Sequence, residues 1–298
     1  MNKSSTKFNS QGFAVFRNLL SKQEVQKYRA AIKTLSGLRD EDFGQKHFEC
    51  PDGVSKHDIF WDIIWNPNLL NALRSLIGHS IRYTQHSDIH AHRTGGWHRD
   101  CACRTFGKGP DWDESVEKYR VVRVAIYLQS YAESGSSLGV IPGSHLHERP
   151  LTEEEWNAWV HRFRDSFATK VLRRMKLIRE VELPERSTVM WTTGRRGLPW
   201  VNPSVPIWIN TEPGDCVIFN QRLYHCASPI NGPKYAIFLS YSPDNLHAHN
   251  HMGYYRYIRK DLRYENLRAE LIDRLTVEGL YLEPQTPNDL EAFSKSYQ

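Results

Sequence analysis

Residues 95–103 read GGWHRDCAC, and this stretch offers a metal ion two kinds of ligand. Cys101 and Cys103 supply sulfur; His98 and Asp100 supply nitrogen and oxygen. A structural zinc site pairs its cysteines at spacings such as Cys-x2-Cys and needs four ligands. Here the two cysteines are one residue apart, and Cys50, Cys216 and Cys226 stand singly, so a sulfur-rich site is short of ligands. The nitrogen and oxygen pair fits better. Residues two apart on an extended chain project from one face. An imidazole and a carboxylate make up two of the three ligands of the two-histidine, one-carboxylate face, which holds Fe(II) and leaves the opposite positions open.

The third ligand must come from a distant strand. A candidate lies in EPGDCVIFNQRLYHCASP, where a Pro-Gly turn opens a hydrophobic strand and His225 follows it. The chain holds fourteen histidines, and His86, His90 and His92 also alternate and form a second candidate group. The simpler reading of that group is a polar strand face. Periodicity alone leaves the choice open.

The elements that would position these residues are mostly strands. IRYTQHSDIHAH from residue 81, RVVRVAIYLQSY from 120, and segments 187–193, 206–210, 214–220 and 234–242 are rich in β-branched and aromatic residues. Helices bracket them. Ser21 and Glu24 form a capping box for a helix that follows, with Leu20 and Val25 as its hydrophobic staple, and Thr152 and Glu155 form a second box. Trp156, Trp159, Val160, Phe163, Phe167 and Val171 then make one apolar helix face. A polar stretch over 40–58 reads as a long loop. Many short strands with Gly/Pro turns and helical brackets predict a mainly β architecture, a sandwich or jelly roll with helical cover.

At 298 residues with 40% hydrophobic residues, the chain buries a large core without staples. No apolar run reaches the roughly 18 residues of a membrane span, the first residues lack an apolar signal region, and five cysteines form no even framework. The expected setting is cytoplasmic. The net charge is +5, and residues 161–200 hold ten Lys/Arg against four Asp/Glu. Such a segment suits an anionic ligand. It suits nucleic acid poorly, because the aromatics among the charges follow the buried helical stripe rather than forming stacking platforms.

WHRD, SGSSLGVIPGSHL and PGDCVIFNQRLYHCASPINGPKYAIFLSYS, with SQGFAVFRNLLSKQEV before them, resemble the phytanoyl-CoA dioxygenase family over about residues 11–245. The resemblance implies an Fe(II)- and 2-oxoglutarate-dependent oxygenase on a double-stranded β-helix, that is, a cupin-like jelly roll. It implies His98, Asp100 and His225 as iron ligands, and Fe(II), 2-oxoglutarate and O2 as cofactor and cosubstrates. Cys101 and Cys226 would then neighbour the iron, exposed to oxidation. Related halogenases lack the carboxylate, so Asp100 favours hydroxylation of a substrate C–H bond.

The family anchors the far carboxylate of 2-oxoglutarate with an arginine two residues before a small one; here Lys234 stands two before Ala236. Lysine brings one compact charge where arginine brings a planar fork. Arg123 and Tyr127, on one face of their strand with Ala125, are the alternative or supplementary contacts. The whole chain, 1–298, is expected to be one domain, with a lid insertion at about 145–212 and a helical tail from about 252. In the lid, Arg195, Arg196 and Trp200 would meet a small, possibly anionic substrate, together with Trp97. The competing expectations are a non-catalytic cupin-like binding protein and an oxygenase of nucleic acid.

Overall fold

The alternating segment RVVRVAIY becomes the centre of the molecule. Val122–Tyr127 is buried on both faces and lies in the middle of a seven-stranded antiparallel sheet. The computed structural model describes residues 3–146, 149–165, 171, 174, 186–191 and 204–297. In chain order the strands are β1 (Phe13–Phe16), β2 (Phe48–Cys50), β3 (Ile81–Tyr83), β4 (Ile89–Ala91), β5 (Val122–Tyr127), β6 (Ser137–Val140), β7 (Arg149–Pro150), β8 (Met190–Trp191), β9 (Ile207–Asn210), β10 (Cys216–Asn220), β11 (His225–Ala227) and β12 (Tyr235–Pro243). The large sheet runs β1-β10-β5-β12-β4-β2, with β3 also on β12; a small sheet runs β11-β6-β9, and β7 pairs with β8.

Period-two alternation sorts the residues of the large sheet. Val122, Val124 and Ile126 of β5 join Ile218, Ile237, Leu239 and Tyr241 in a core that packs against helices Lys22–Ser36 and Pro67–Ile77. Ala125, Tyr127, Val217, Phe219 and Ala236 face the other way and meet Leu138, Val140 and Ile209 of the small sheet. Two sheets closing on one shared interior make the chain a jelly roll with helices covering the outside of the large sheet.

The helix signals act as read. Ser21 accepts from the Glu24 amide, and the Glu24 carboxylate accepts the Ser21 amide at 2.7 Å. Thr152 and Glu155 make the same exchange at the start of Glu153–Asp165, and Trp159 of that helix is buried with Leu151 and Val189. Val171, placed on the same stripe, is exposed. Ile207–Asn210 pairs with β6 in the small sheet, so that part of the expected insertion is jelly-roll strand.

Two features differ from the pattern, and a third extends it. The strand expected from residue 81 is broken, because Gln85 takes a left-handed backbone (φ 62) that carries its amide to Asp52 and to the Glu265 carbonyl. The loop at 40–58 contains β2, which pairs with β4 and carries Glu49 toward the interior cavity. The tail is part of the core: Leu271 and Leu275 of helix Ala269–Val277, with Leu280, are buried in the cluster beneath the large sheet.

Leu271→Ala removes a fully buried side chain at the tail's anchor and should cost about 2–5 kcal/mol of unfolding free energy. Urea denaturation checks this. A change below about 0.5 kcal/mol, the size of an ordinary surface substitution, would show that the tail does not stabilise the core.

Candidate metal centre

His98 and His225 are directly opposed across an antiparallel bridge. The His98 amide donates to the His225 carbonyl at 2.8 Å, and the His225 amide donates to the His98 carbonyl at 3.0 Å. Two main-chain hydrogen bonds thus set the separation of two residues that are distant in sequence, and the ring centroids lie 4.4 Å apart. The amides of Asp100 and Cys101 both donate to the Gln221 carbonyl, and Ala227 donates to Gly95, so the whole loop 95–101 is laced to the chain around β11.

The side chains converge as a result. Asp100 Oδ1 is 3.4 Å from His98 Nε2, and Oδ2 is 3.5 Å from His225 Nε2. All three donor atoms lie within 4.8 Å of one another, and no other such group of three exists among the described residues. Bonds of about 2.1 Å would place neighbouring ligands about 3 Å apart, so a small inward shift brings this set onto one ion. The tautomers suit it. His98 Nδ1 lies 2.6 Å from the Gly96 carbonyl and His225 Nδ1 lies 2.9 Å from the Leu223 carbonyl. A carbonyl only accepts, so each Nδ1 carries the hydrogen and each Nε2 turns a lone pair or a titratable proton toward Asp100.

Electrostatics prepare the same atoms. Burial opposes the Asp100 charge, but His225, His98 and Arg123 together hold its carboxyl well below the usual range. Burial, with His98 nearby, pushes the His225 imidazole down to about 4, so it is neutral and free to ligate. Burial also lowers His98, yet the hydrogen bond and charge of Asp100 more than offset it and raise the imidazole above its ordinary value.

The second candidate group disperses. His86 pairs with His251 at 3.1 Å, His90 approaches Glu49, and His92 Nε2 faces the Arg39 carbonyl. Cys101 is settled differently from expectation: it is 1% exposed, whereas Cys226 lines the cavity beside the triad. Burial, with Asp111 nearby, raises the Cys101 thiol well above its usual range. A protonated, enclosed thiol is a poor target for oxidation.

A cavity of about 500 Å³ opens beside the triad. Lys234 lines it, two residues before Ala236 and so on the same face, and is 2% exposed. Its ammonium lies 6.0 Å from the Tyr127 ring, and no carboxylate pairs with it among the described residues. Burial, with Arg93 nearby, lowers it to about 8. Arg123 and Tyr127 reach the same cavity, but the Arg123 guanidinium is paired with Asp88 and donates to the His86 carbonyl at 2.6 Å. Trp97 lines the rim and stacks on Tyr224. Arg195, Arg196 and Trp200 lie outside the described residues. The opposite wall is one that no sequence pattern announced: Tyr255, Arg259, Leu262 and Tyr264 of the C-terminal segment. A π-helical turn at Tyr254–Ile258, a rare element often found at functional sites, carries Tyr255, and Arg259 caps it.

If the triad binds a divalent ion, Asp100→Ala and His225→Ala should each abolish metal binding with the fold intact, as read by circular dichroism alongside anaerobic metal titration. Asp100→Glu should fail as well, since an added methylene displaces the carboxylate by over about 1 Å where about 0.5 Å is tolerated. Because His98 must shed a raised proton to ligate, affinity should weaken by about one decade per pH unit as pH falls below its raised value. Tight binding by either alanine variant would remove these residues from the metal site.

Residues 8–237 match the family model for phytanoyl-CoA dioxygenase. No curated protein matches the sequence. Among solved structures, HygX from Streptomyces hygroscopicus, with nickel and 2-oxoglutarate bound, is similar at 15% identity and a TM-score of 0.51, covering 82% of this chain and 87% of its own. The epimerase SnoN in complex with Fe3+, alpha ketoglutarate and nogalamycin RO is similar at 12% identity and a TM-score of 0.50, covering 81% and 83%. No helix among the described residues is long and apolar enough to cross a membrane. With more than two thirds of its length matched and the jelly roll in place, the chain belongs to the phytanoyl-CoA dioxygenase family, whose cofactor is Fe(II) and whose cosubstrates are 2-oxoglutarate and O2.

Proposed function

We propose that the chain hydroxylates a C–H bond of a small molecule, with His98, Asp100 and His225 as the iron ligands and Lys234 as the anchor for the far carboxylate of 2-oxoglutarate. One observation carries this reading: three convergent donors and a buried ammonium without a carboxylate share a single cavity. A buried charge needs a partner, and a dicarboxylate that chelates the metal with one end would supply it with the other. Bound iron supplies the oxygen activation. The residues of the chain bind and orient. Lys234, over the Tyr127 ring, fixes the cosubstrate at the deep end. Leu138 and Phe219 keep that end apolar, and Tyr255, Leu262 and Tyr264 close the far wall against water.

The presence of Asp100 supports oxygenation over halogenation, which uses the carboxylate's position for halide. The cavity volume suits a small metabolite beside the cosubstrate. Arg104 at the cavity, exposed and without a carboxylate partner among the described residues, supports a substrate bearing an anionic group. A lid role for Arg195, Arg196 and Trp200 stays part of the proposal. Substrate-stimulated release of succinate from 2-oxoglutarate, screened over candidate metabolites, tests the activity.

Lys234→Ala should weaken 2-oxoglutarate binding by the about 3–5 kcal/mol typical of a broken buried pair, which is roughly two to three and a half decades. Lys234→Met should fail similarly. Only the ammonium form pairs with the carboxylate, and the free lysine loses its proton at about 8. Affinity should therefore be level below that pH and fall by about tenfold per unit above it. Anaerobic titration with 2-oxoglutarate measures both. Wild-type affinity in Lys234→Ala, or a flat profile above pH 8, would place the anchor elsewhere.

A further inference from the structure

We propose that Arg123 is a positioning residue for the metal-binding carboxylate, holding Asp100 so that one oxygen faces the ion while the other is engaged by the arginine Nε–H. The inference rests on the reading of His98, Asp100 and His225 as metal ligands.

Arg123 sits mid-strand on the inner face of β5 and is 3% exposed. Two of its three nitrogens are engaged. Nη1 donates to the His86 carbonyl at 2.6 Å, Nη2 is paired with Asp88, and the Phe238 ring lies 5.3 Å from the guanidinium carbon. The third nitrogen, Nε, is fully buried and has no hydrogen-bond partner. It lies 3.6 Å from Asp100 Oδ2, just beyond bonding distance. An orphaned buried donor is destabilising, so this gap is a feature to be explained.

Metal binding explains it. Both oxygens of Asp100 stand against imidazole nitrogens. Once His98 and His225 turn their Nε2 lone pairs to an ion, neither can donate a hydrogen. The carboxylate oxygen that does not face the ion then needs a new donor. The Arg123 Nε–H stands beside it, and ligating carboxylates are characteristically held by such a bond.

Asp88 makes the device electrically tolerable. A lone guanidinium against a dication would repel it; paired with Asp88 it is a neutral unit that still donates. Asp88 is itself fixed by the Asp52 amide at 3.2 Å and the Tyr264 hydroxyl at 3.4 Å. Tyr255, from the same C-terminal segment, donates to the Asp100 carbonyl at 3.3 Å. The segment that walls the cavity thus also steadies the carboxylate and its positioning residue.

The test is anaerobic titration with Co(II), a redox-stable probe whose visible spectrum reports ligand geometry, on the full chain. Arg123→Lys keeps the charge that Asp88 requires but lacks Nε–H. Asp88→Asn keeps Arg123 but loosens its grip, and so keeps the test open if the first variant misfolds. Arg123→Lys should weaken Co(II) binding by about 10–100-fold, the usual effect of losing such a partner, and should alter the Co(II) spectrum. Asp88→Asn should shift both in the same direction by less. With Co(II) saturating, 2-oxoglutarate affinity should stay within about threefold of wild type. Unchanged Co(II) affinity and spectrum in both variants would overturn the proposal. So would a collapse of 2-oxoglutarate affinity with Co(II) binding intact, which would make Arg123 a cosubstrate anchor. Failure of the triad itself would be seen separately, as normal Co(II) binding by His225→Ala.

Discussion

The site depends on one antiparallel contact, the reciprocal hydrogen bonds between His98 and His225. These two bonds bring a loop before β5 against the strand after β10. They fix which faces of the two backbones meet, and so bring two imidazoles to one point. Asp100 follows because it is two residues beyond His98 and its own amide is tied to Gln221. Register in a sheet is unforgiving: a slip of one residue would turn His225 away from the interior and present Cys226 instead. The large sheet, the small sheet and the helices that cover the outer core all serve to hold that register.

Charge does the rest of the organising. Two buried arginines have a carboxylate neighbour: Arg123 has Asp88 and Arg222 has Glu114. Lys234 has no carboxylate among the described residues. Keeping an ammonium buried without an anion lowers stability, and such a cost is commonly met where a ligand completes the pair. The Arg-to-Lys departure from the family pattern is consistent with this, since a compact charge demands less room than a planar fork at the end of a narrow cavity.

Much of this was legible in the sequence, unevenly. The strands over 122–127, 216–220 and 235–243 declare themselves by long alternating runs, and the capping boxes mark their helices to the residue. The candidate ligands stood out by type, but spacing alone did not separate His225 from thirteen other histidines; the motif order around it did. What was hidden is non-local or conformational. Nothing local announces that Gln85 takes a left-handed turn and breaks a strand that its composition favours. β2 is three polar-flanked residues, too short for a period to register. The wall of Tyr255 and Tyr264 arises from contacts spanning about 155 and 176 residues, which no window along the chain can see. The same distance hid the role of Asp88.

The most direct measurement is anomalous scattering at the iron edge from crystals grown without oxygen and soaked with Fe(II) and 2-oxoglutarate. The account predicts one strong peak about 2.1 Å from His98 Nε2, His225 Nε2 and one oxygen of Asp100, with the far carboxylate of 2-oxoglutarate in hydrogen-bond contact with Lys234 Nζ. A peak at any other side chains, or a cosubstrate whose far carboxylate lies away from Lys234, would contradict it.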